Sequence, residues 1–79
     1  MNFDSIKFER HSVIPGAIMG RLALPNGISL SVVGGIDTNL YGDGVNTFEV
    51  FVSTHDDAFG LCYQTREDIN ELTASLTKE

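Results

Sequence analysis

A hairpin between Ile18 and Val33 constrains the fold of this chain more than any other stretch of its sequence. In Leu24-Pro25-Asn26-Gly27, Pro25 presets the first corner of a turn, and Gly27 adopts a positive φ without steric penalty. The resulting three-residue loop predicts three apolar pairs, which are Leu24 with Ile28, Leu22 with Leu30 and Gly20 with Val32. A two-residue loop would instead set apolar residues opposite polar ones on every rung, so the three-residue register is favoured.

The length and composition of the chain predict one small domain over residues 1–79. The sequence is 42% hydrophobic and 20% charged, which is ordinary for a globular protein. Cys62 is the only cysteine, so no internal disulfide can form, and this favours a reducing compartment. The N-terminus lacks the pattern of a signal peptide, and proline and glycine interrupt the longest uncharged stretch, residues 22–36. We therefore expect a cytoplasmic protein that does not enter a membrane.

Charge is distributed unevenly between the two halves of the sequence. Residues 1–36 carry three basic and two acidic residues, for a net charge of +1, whereas residues 37–79 carry two basic and nine acidic residues, for −7. An anionic surface of this kind repels nucleic acid phosphates and favours a basic partner. The basic residues also have no interleaved aromatic ladder, so direct binding of DNA or RNA is not expected.

Alternation of apolar and polar residues predicts strands on both sides of the hairpin. Ile6 and Phe8 alternate with charged residues in a first strand, which we place at a sheet edge. Residues 48–53 form a fourth strand, and residues 59–63 form a short fifth strand that returns along it after a turn at residues 55–58. The glycine-rich residues 37–46 connect the hairpin to the fourth strand.

Thr65 predicts the beginning of the only helix. Its hydroxyl can accept from the first-turn amides, and Glu67 and Asp68 lie where the helix dipole favours acids. An apolar stripe follows at spacings of three and four, made by Ile69, Leu72 and Leu76. A helix this short needs a surface to dock on. The predicted fold class is therefore α+β, an antiparallel sheet of four or five strands with the C-terminal helix packed on one face.

A single helix leaves the other face of the sheet uncovered. The hairpin register places Met19, Ala23 and Val33 on that face, and Phe51 faces away from its apolar neighbours in the fourth strand. If strand order brings Phe51 beside them, the cluster is a candidate protein interface. The alternative is that the first strand or the 37–46 connection folds over it.

Reactive side chains are few and do not match a known catalytic or metal-binding spacing. His11, His55 and Cys62 are the only nitrogen or sulfur ligands, and no two of them have the close spacing of a zinc site. The surroundings of Cys62 are acidic, which disfavours a thiolate nucleophile. We predict no catalytic residue, no metal and no cofactor, and the roles of these three residues stay open.

The order of these motifs resembles that of small accessory proteins encoded by tailed phages and related mobile elements. The shared layout spans residues 22–76 and runs from Leu24-Pro25-Asn26-Gly27 through Ser31-Val32, a Tyr41-Gly42 loop and Phe48-Glu49-Val50 to an acidic C-terminal helix. It contains no catalytic signature. The resemblance implies a virus-encoded protein acting in a bacterial cytoplasm, a group that includes anti-CRISPR and other inhibitors of host defence.

The leading functional hypothesis is a non-catalytic protein that binds a basic surface of a bacterial protein or nucleoprotein complex. Its predicted contact residues combine acids of the second half with apolar residues of the uncovered face: Asp37, Asp43, Asp56, Asp57, Glu67, Asp68, Glu71, Met19, Val33 and Phe51. One alternative is a homodimer formed through the uncovered sheet face. Another is a small enzyme or metal binder centred on His55 and Cys62.

Overall fold

The alternating segments form one antiparallel sheet, and the predicted α+β fold class is confirmed. The computed structural model describes residues 2–77 and has five strands in the order β1-β2-β3-β4-β5. After a 3-10 helix at Phe3–Ser5, the elements are β1 (Glu9–Arg10), β2 (Ile18–Ala23), β3 (Ser29–Gly34), β4 (Phe48–Ser53), β5 (Ala58–Gln64) and α1 (Arg66–Thr77). Each strand is a sequence neighbour of the strand beside it, so the sheet is a simple meander.

The central hairpin has the register that its turn predicts. Leu22 is paired with Leu30, Gly20 is paired with Val32, and the amide of Leu24 donates to the carbonyl of Ile28 at 2.8 Å. Gly27 has a φ of 85°, as the three-residue loop requires. The turn also contacts the far end of α1, because the Asn26 side-chain amide donates to the Leu76 carbonyl at 2.6 Å.

Pairing of the strands sorts their side chains onto two different faces. The helix-bearing face holds the core and is lined by Leu22, Leu30, Val32, Phe48, Val50 and Val52, all buried. The opposite face, called the open face below, carries Met19, Arg21, Ser31, Val33, Glu49 and Phe51. Ile69 of α1 is fully buried in the core, and Leu72 and Leu76 pack against it, so the predicted stripe is the docking side of the helix.

Thr65 and Asp68 form a reciprocal cap at the beginning of α1. The amide of Asp68 donates to the Thr65 hydroxyl at 3.2 Å, and the amide of Thr65 donates to the Asp68 carboxylate at 3.0 Å. Both halves of a capping box are thus present, with aspartate in the place of the usual glutamate. The helix has 12 residues, and within residues 2–77 no helix is long and apolar enough to cross a membrane.

The first strand is much shorter than predicted. Only Glu9 and Arg10 pair with β2, while Ile6 and Phe8 leave the plane of the sheet and pack against the core. Gly20 permits this path, because its Cα carries no side chain and residues 6–8 cross directly above it. A Cβ there would collide with Ile6 and lie 3.1 Å from the Lys7 carbonyl oxygen. The predicted position at the sheet edge is confirmed.

The N-terminal segment completes the cover that α1 begins. The rings of Phe3, Phe8 and Phe48 form a cluster with centroid separations of 5.1 to 5.6 Å. The amide of Phe3 donates to the Asn70 side chain at 2.7 Å, and the Arg66 guanidinium lies 5.1 Å from the Phe3 ring centroid. The two ends of the chain therefore hold each other while both cover the same apolar face.

A methyl group at Gly20 should weaken this cover. We expect Gly20→Ala to lower the free energy of unfolding by about 1–3 kcal/mol, because residues 6–8 must move off the core. Gly60→Ala is the matched control, since its Cβ would make an ordinary 3.4 Å contact with the Phe51 ring. Urea unfolding of both variants measures the difference, and equal stability of the two would contradict the close approach at Gly20.

Candidate interaction surface

The acidic residues predicted to contact a partner lie at both ends of the sheet. β3 ends at Gly34, β4 begins at Phe48 and β5 ends at Gln64, all at the same end of the sheet. The β3–β4 connection and the beginning of α1 are therefore neighbours there. This end carries Asp37, Asp43, Glu67 and Asp68. The β4–β5 turn, with Asp56 and Asp57, lies at the opposite end, beyond the length of β5. The acids thus lie near both ends of β5 and do not form a single cluster.

Asp43 organises the β3–β4 connection. The amides of Val45, Asn46 and Thr47 donate to one of its carboxylate oxygens at 2.8, 2.8 and 3.0 Å. These bonds, led by that of Thr47, hold the pKa of the Asp43 carboxyl below its ordinary value of 3.8. This carboxylate therefore stabilises the loop through Oδ1, and only Oδ2 is free of those three bonds.

Asp68 and Asp57 also have local structural partners. The cap bonds from the Thr65 amide and hydroxyl hold the pKa of the Asp68 carboxyl below 3.8. Asp57 accepts a hydrogen bond from the Ala58 amide at 2.8 Å. The sequence suggested these acids as partner contacts, and their geometry gives each a role inside the chain as well.

Four of the predicted acids present exposed side chains whose carboxylates accept no hydrogen bond within residues 2–77: Asp37, Asp56, Glu67 and Glu71. Asp37 has a φ of 60°, in the left-handed region that aspartate tolerates better than most residues. Glu67 and Glu71 are one helical turn apart, so they share one side of α1. These four are the acids with the most freedom to meet a partner.

The apolar residues predicted for the open face lie on it as neighbours, but they are not equally accessible. Met19 is directly opposite Val33, and Phe51 lies on the next strand, opposite Ser31 and Gly60. Val33 is only 5% exposed, whereas Phe51 is 44% exposed. Of the predicted apolar cluster, Phe51 therefore offers the largest exposed surface.

Further exposed aromatic residues lie beside β5, and sequence reasoning did not select them as contacts. Phe59, Tyr63 and Tyr41 are 42%, 61% and 51% exposed. Tyr63 has a φ of 55° at an irregularity in the β4–β5 pairing, and its amide donates to the Tyr41 carbonyl at 2.9 Å. The 37–46 connection thus reaches the bulged strand, and the two tyrosine rings meet edge to face at 5.9 Å.

The histidines and the cysteine do not share a site. His11 Nδ1 accepts hydrogen bonds from the amides of Val13 and Ile14 at 3.0 and 3.1 Å, which closes the loop before β2. His55 lies beside the turn at Gly27, and Cys62 is exposed on β5. Among residues 2–77, no group of three or more His, Cys, Asp or Glu side chains is placed to hold a metal ion.

Two surface hollows formed by described residues do not bring His55 and Cys62 together. One of about 460 Å³ is formed by residues 14–18 with Arg10 and His11. Another of about 410 Å³ lies beside β1 and is lined by Lys7, Glu9 and Arg21 among others. Neither lining includes His55 or Cys62, so the arrangement that nucleophilic catalysis needs is not found in these two hollows.

Comparisons with known proteins add no relative: no family model matches the chain, and no curated protein or solved structure gives a significant match.

The lowered pKa of Asp43 predicts a pH-dependent contribution to stability. Because its pKa is lower in the folded than in the unfolded chain, its stabilisation is complete above 3.8 and is lost as the pH falls through the folded-state value. We expect Asp43→Asn, which keeps an acceptor oxygen but cannot titrate, to be less stable than the wild type at about pH 6, with a smaller gap at about pH 3. Urea unfolding at both pH values measures the gap.

Asp56→Asn is the control for this prediction, since the Asp56 carboxylate accepts no hydrogen bond within the described residues. It removes the same charge from the chain and should not lose the stability at about pH 6 that Asp43→Asn loses. A gap between wild type and Asp43→Asn that stays constant with pH would contradict the assignment.

Proposed function

We propose that this protein is a non-catalytic binding protein that occupies a basic surface of another macromolecule. The observation that carries the proposal is the net charge of −7 over residues 37–79, set on a sheet whose open face and outer strand expose aromatic side chains. Charge of one sign accelerates encounter with a complementary surface, and exposed aromatic residues supply affinity once contact is made. The same charge opposes direct binding to nucleic acid phosphates.

The geometry supports contact along one side of the molecule. Acids flank β5 at both ends, and Phe51, Phe59 and Tyr63 lie between them. A basic partner lying along the outer edge of β5 would meet carboxylates near both ends of the strand and, between them, the Phe59 ring on the helix-bearing face and the Phe51 ring on the open face. That arrangement, a charged rim around an aromatic centre, is typical of protein interfaces.

The finer form of the proposal names a bacterial protein or nucleoprotein complex as the partner, with the protein acting in the host cytoplasm as a phage-encoded inhibitor of host defence such as a CRISPR complex. Its support is the resemblance of the motif layout to small phage proteins, together with the size and acidity of the chain. Inhibition would follow from occupying a surface that the complex uses for nucleic acid.

Removing acids from the second half should weaken capture of the partner more than removing acids from the first half. Glu67→Gln with Glu71→Gln should reduce retention of bacterial lysate proteins by roughly twofold to thirtyfold, because each exposed charge contributes about 0.2–1 kcal/mol. The matched control is Asp4→Asn with Glu9→Gln, which removes the same charge outside the acidic half. Affinity capture across a salt series, quantified by mass spectrometry, measures both.

The proposal also requires that capture of specific proteins decline as salt increases, since screening weakens attraction between exposed charges. Equal loss from the two double variants, or capture that does not change with salt, would contradict an electrostatic contact made by the acidic half.

A further inference from the structure

The outer edge of β5 is the longest unpaired strand edge in the described part of the molecule. The strand has seven residues and is last in the sheet, whereas β1 at the other edge has only two. No charged residue and no proline occurs between Ala58 and Gln64. Natural sheets usually protect such an edge with a charge, a proline or an early bulge. Residues 58–61, before the irregularity in the β4–β5 pairing, have no such protection.

The turn before β5 establishes which backbone groups point outward. The amide of Thr54 donates to the carbonyl of Asp57 at 2.8 Å, so these two residues are a hydrogen-bonded pair. Such pairs alternate along an antiparallel ladder. Phe59 and Leu61, paired with Val52 and Val50, therefore direct their amides and carbonyls towards β4. Those of Ala58 and Gly60 point away from the sheet.

Side chains at the two ends of β5 already bond some of the backbone groups that point away from the sheet. The Asp57 carboxylate accepts from the Ala58 amide at 2.8 Å, and the Gln64 side chain donates to the Cys62 carbonyl at 3.2 Å. Between them, no side chain within residues 2–77 reaches the amide or carbonyl of Gly60. The middle of the edge is left open for another strand.

We propose that a second copy of this chain adds there, with the two β5 strands antiparallel about a two-fold axis at Gly60. A hydrogen-bonded pair then joins Gly60 to its own equivalent. Ala58 pairs with Cys62 of the second copy once the Asp57 carboxylate releases the Ala58 amide and the Gln64 side chain releases the Cys62 carbonyl, both at the surface. This register uses residues 58–61, which pair regularly with β4, together with Cys62, and stops before Tyr63, whose positive φ interrupts the strand. The two sheets become one continuous sheet of ten strands.

The register is self-complementary in its side chains. On the helix-bearing face, Phe59 of each copy lies opposite Leu61 of the other, which covers a ring that is 42% exposed in the single chain. On the open face, two glycines meet at the axis, which leaves room for the Phe51 ring that lies beside Gly60 in each copy. The pairing ends before Asp57 and Tyr63, and the paired residues 58–62 contain no acid.

Charge distinguishes this assembly from capture of a basic partner. Each copy carries a net charge of −6, so the copies repel each other at long range and association should strengthen as salt screens the repulsion. Binding to a basic surface should instead weaken with salt. The inference does not rest on the proposed function, but both contacts use β5, so a second copy and a basic partner would compete for this strand, and their opposite dependences on salt tell them apart.

Disulfide trapping tests the register. In Ala58→Cys, the new thiol faces Cys62 of the second copy at a Cα separation of about 5.5 Å, within the range of a disulfide. Within one chain the two thiols are about 13 Å apart and cannot bond. Mild oxidation should therefore give a covalent dimer. The same variant carrying Cys62→Ser should give none, and neither should Ala23→Cys with Cys62 retained, because Ala23 is exposed on β2, away from the β5 edge.

Sedimentation equilibrium of the protein without added cysteine tests the assembly itself. We expect a monomer–dimer equilibrium that Phe59→Lys weakens roughly twofold to thirtyfold, since two Phe59–Leu61 contacts are lost. Val13→Lys, at an exposed position before β2, should leave it unchanged. Circular dichroism confirms that each variant is folded. A protein that stays monomeric at high concentration and high salt, or cross-links equally through Ala23→Cys, would overturn the proposal.

Discussion

A sheet with one apolar face must have that face covered, and the rest of this structure depends on how the chain does so. The 12-residue α1 is too short to cover five strands, and the remaining area is closed by the segment from Phe3 to Phe8. This segment reaches the core only because Gly20 has no side chain beneath it. The hydrogen bond between Phe3 and Asn70 then joins the 3-10 helix to α1. The two parts of the cover are thus connected although they come from opposite ends of the sequence.

Once the core is confined to the helix-bearing face, the other surfaces are available for contact. The open face and the edge of β5 carry exposed aromatic residues, and the acids stand around them at both ends of the strand. Some of those acids also hold the structure together: Asp43 organises a loop, Asp68 caps α1 and Asp57 occupies an outward amide of β5. The acids of the second half therefore have two physical roles, which are local hydrogen bonding and a contribution to a long-range electrostatic field. Exposed residues such as Glu71 have only the second role.

Local chemistry was readable in the sequence, and long-range packing was not. The Pro25–Gly27 turn gave the hairpin register, and Thr65 with Asp68 gave the helix cap, because both depend on residues a few positions apart. The first strand was predicted too long, since its departure from the sheet depends on Gly20, which is distant in the chain. The open-face cluster is less accessible than predicted, since Val33 is buried. Its burial could not be predicted because it depends on residues that are distant in the sequence. The uncharged run of β5 is visible in the sequence, but its position at the edge of the sheet follows only from the strand order.

Amide hydrogen exchange along β5, followed residue by residue by NMR, tests this division between covered core and open edge most directly. We expect the amides of Phe59 and Leu61, which point towards β4, to exchange slowly in dilute protein. The amide of Gly60 should exchange at close to the unprotected rate when dilute and become protected as concentration rises. Strong protection of Gly60 in dilute protein, or exchange of Phe59 and Leu61 as fast as that of Gly60, would contradict it.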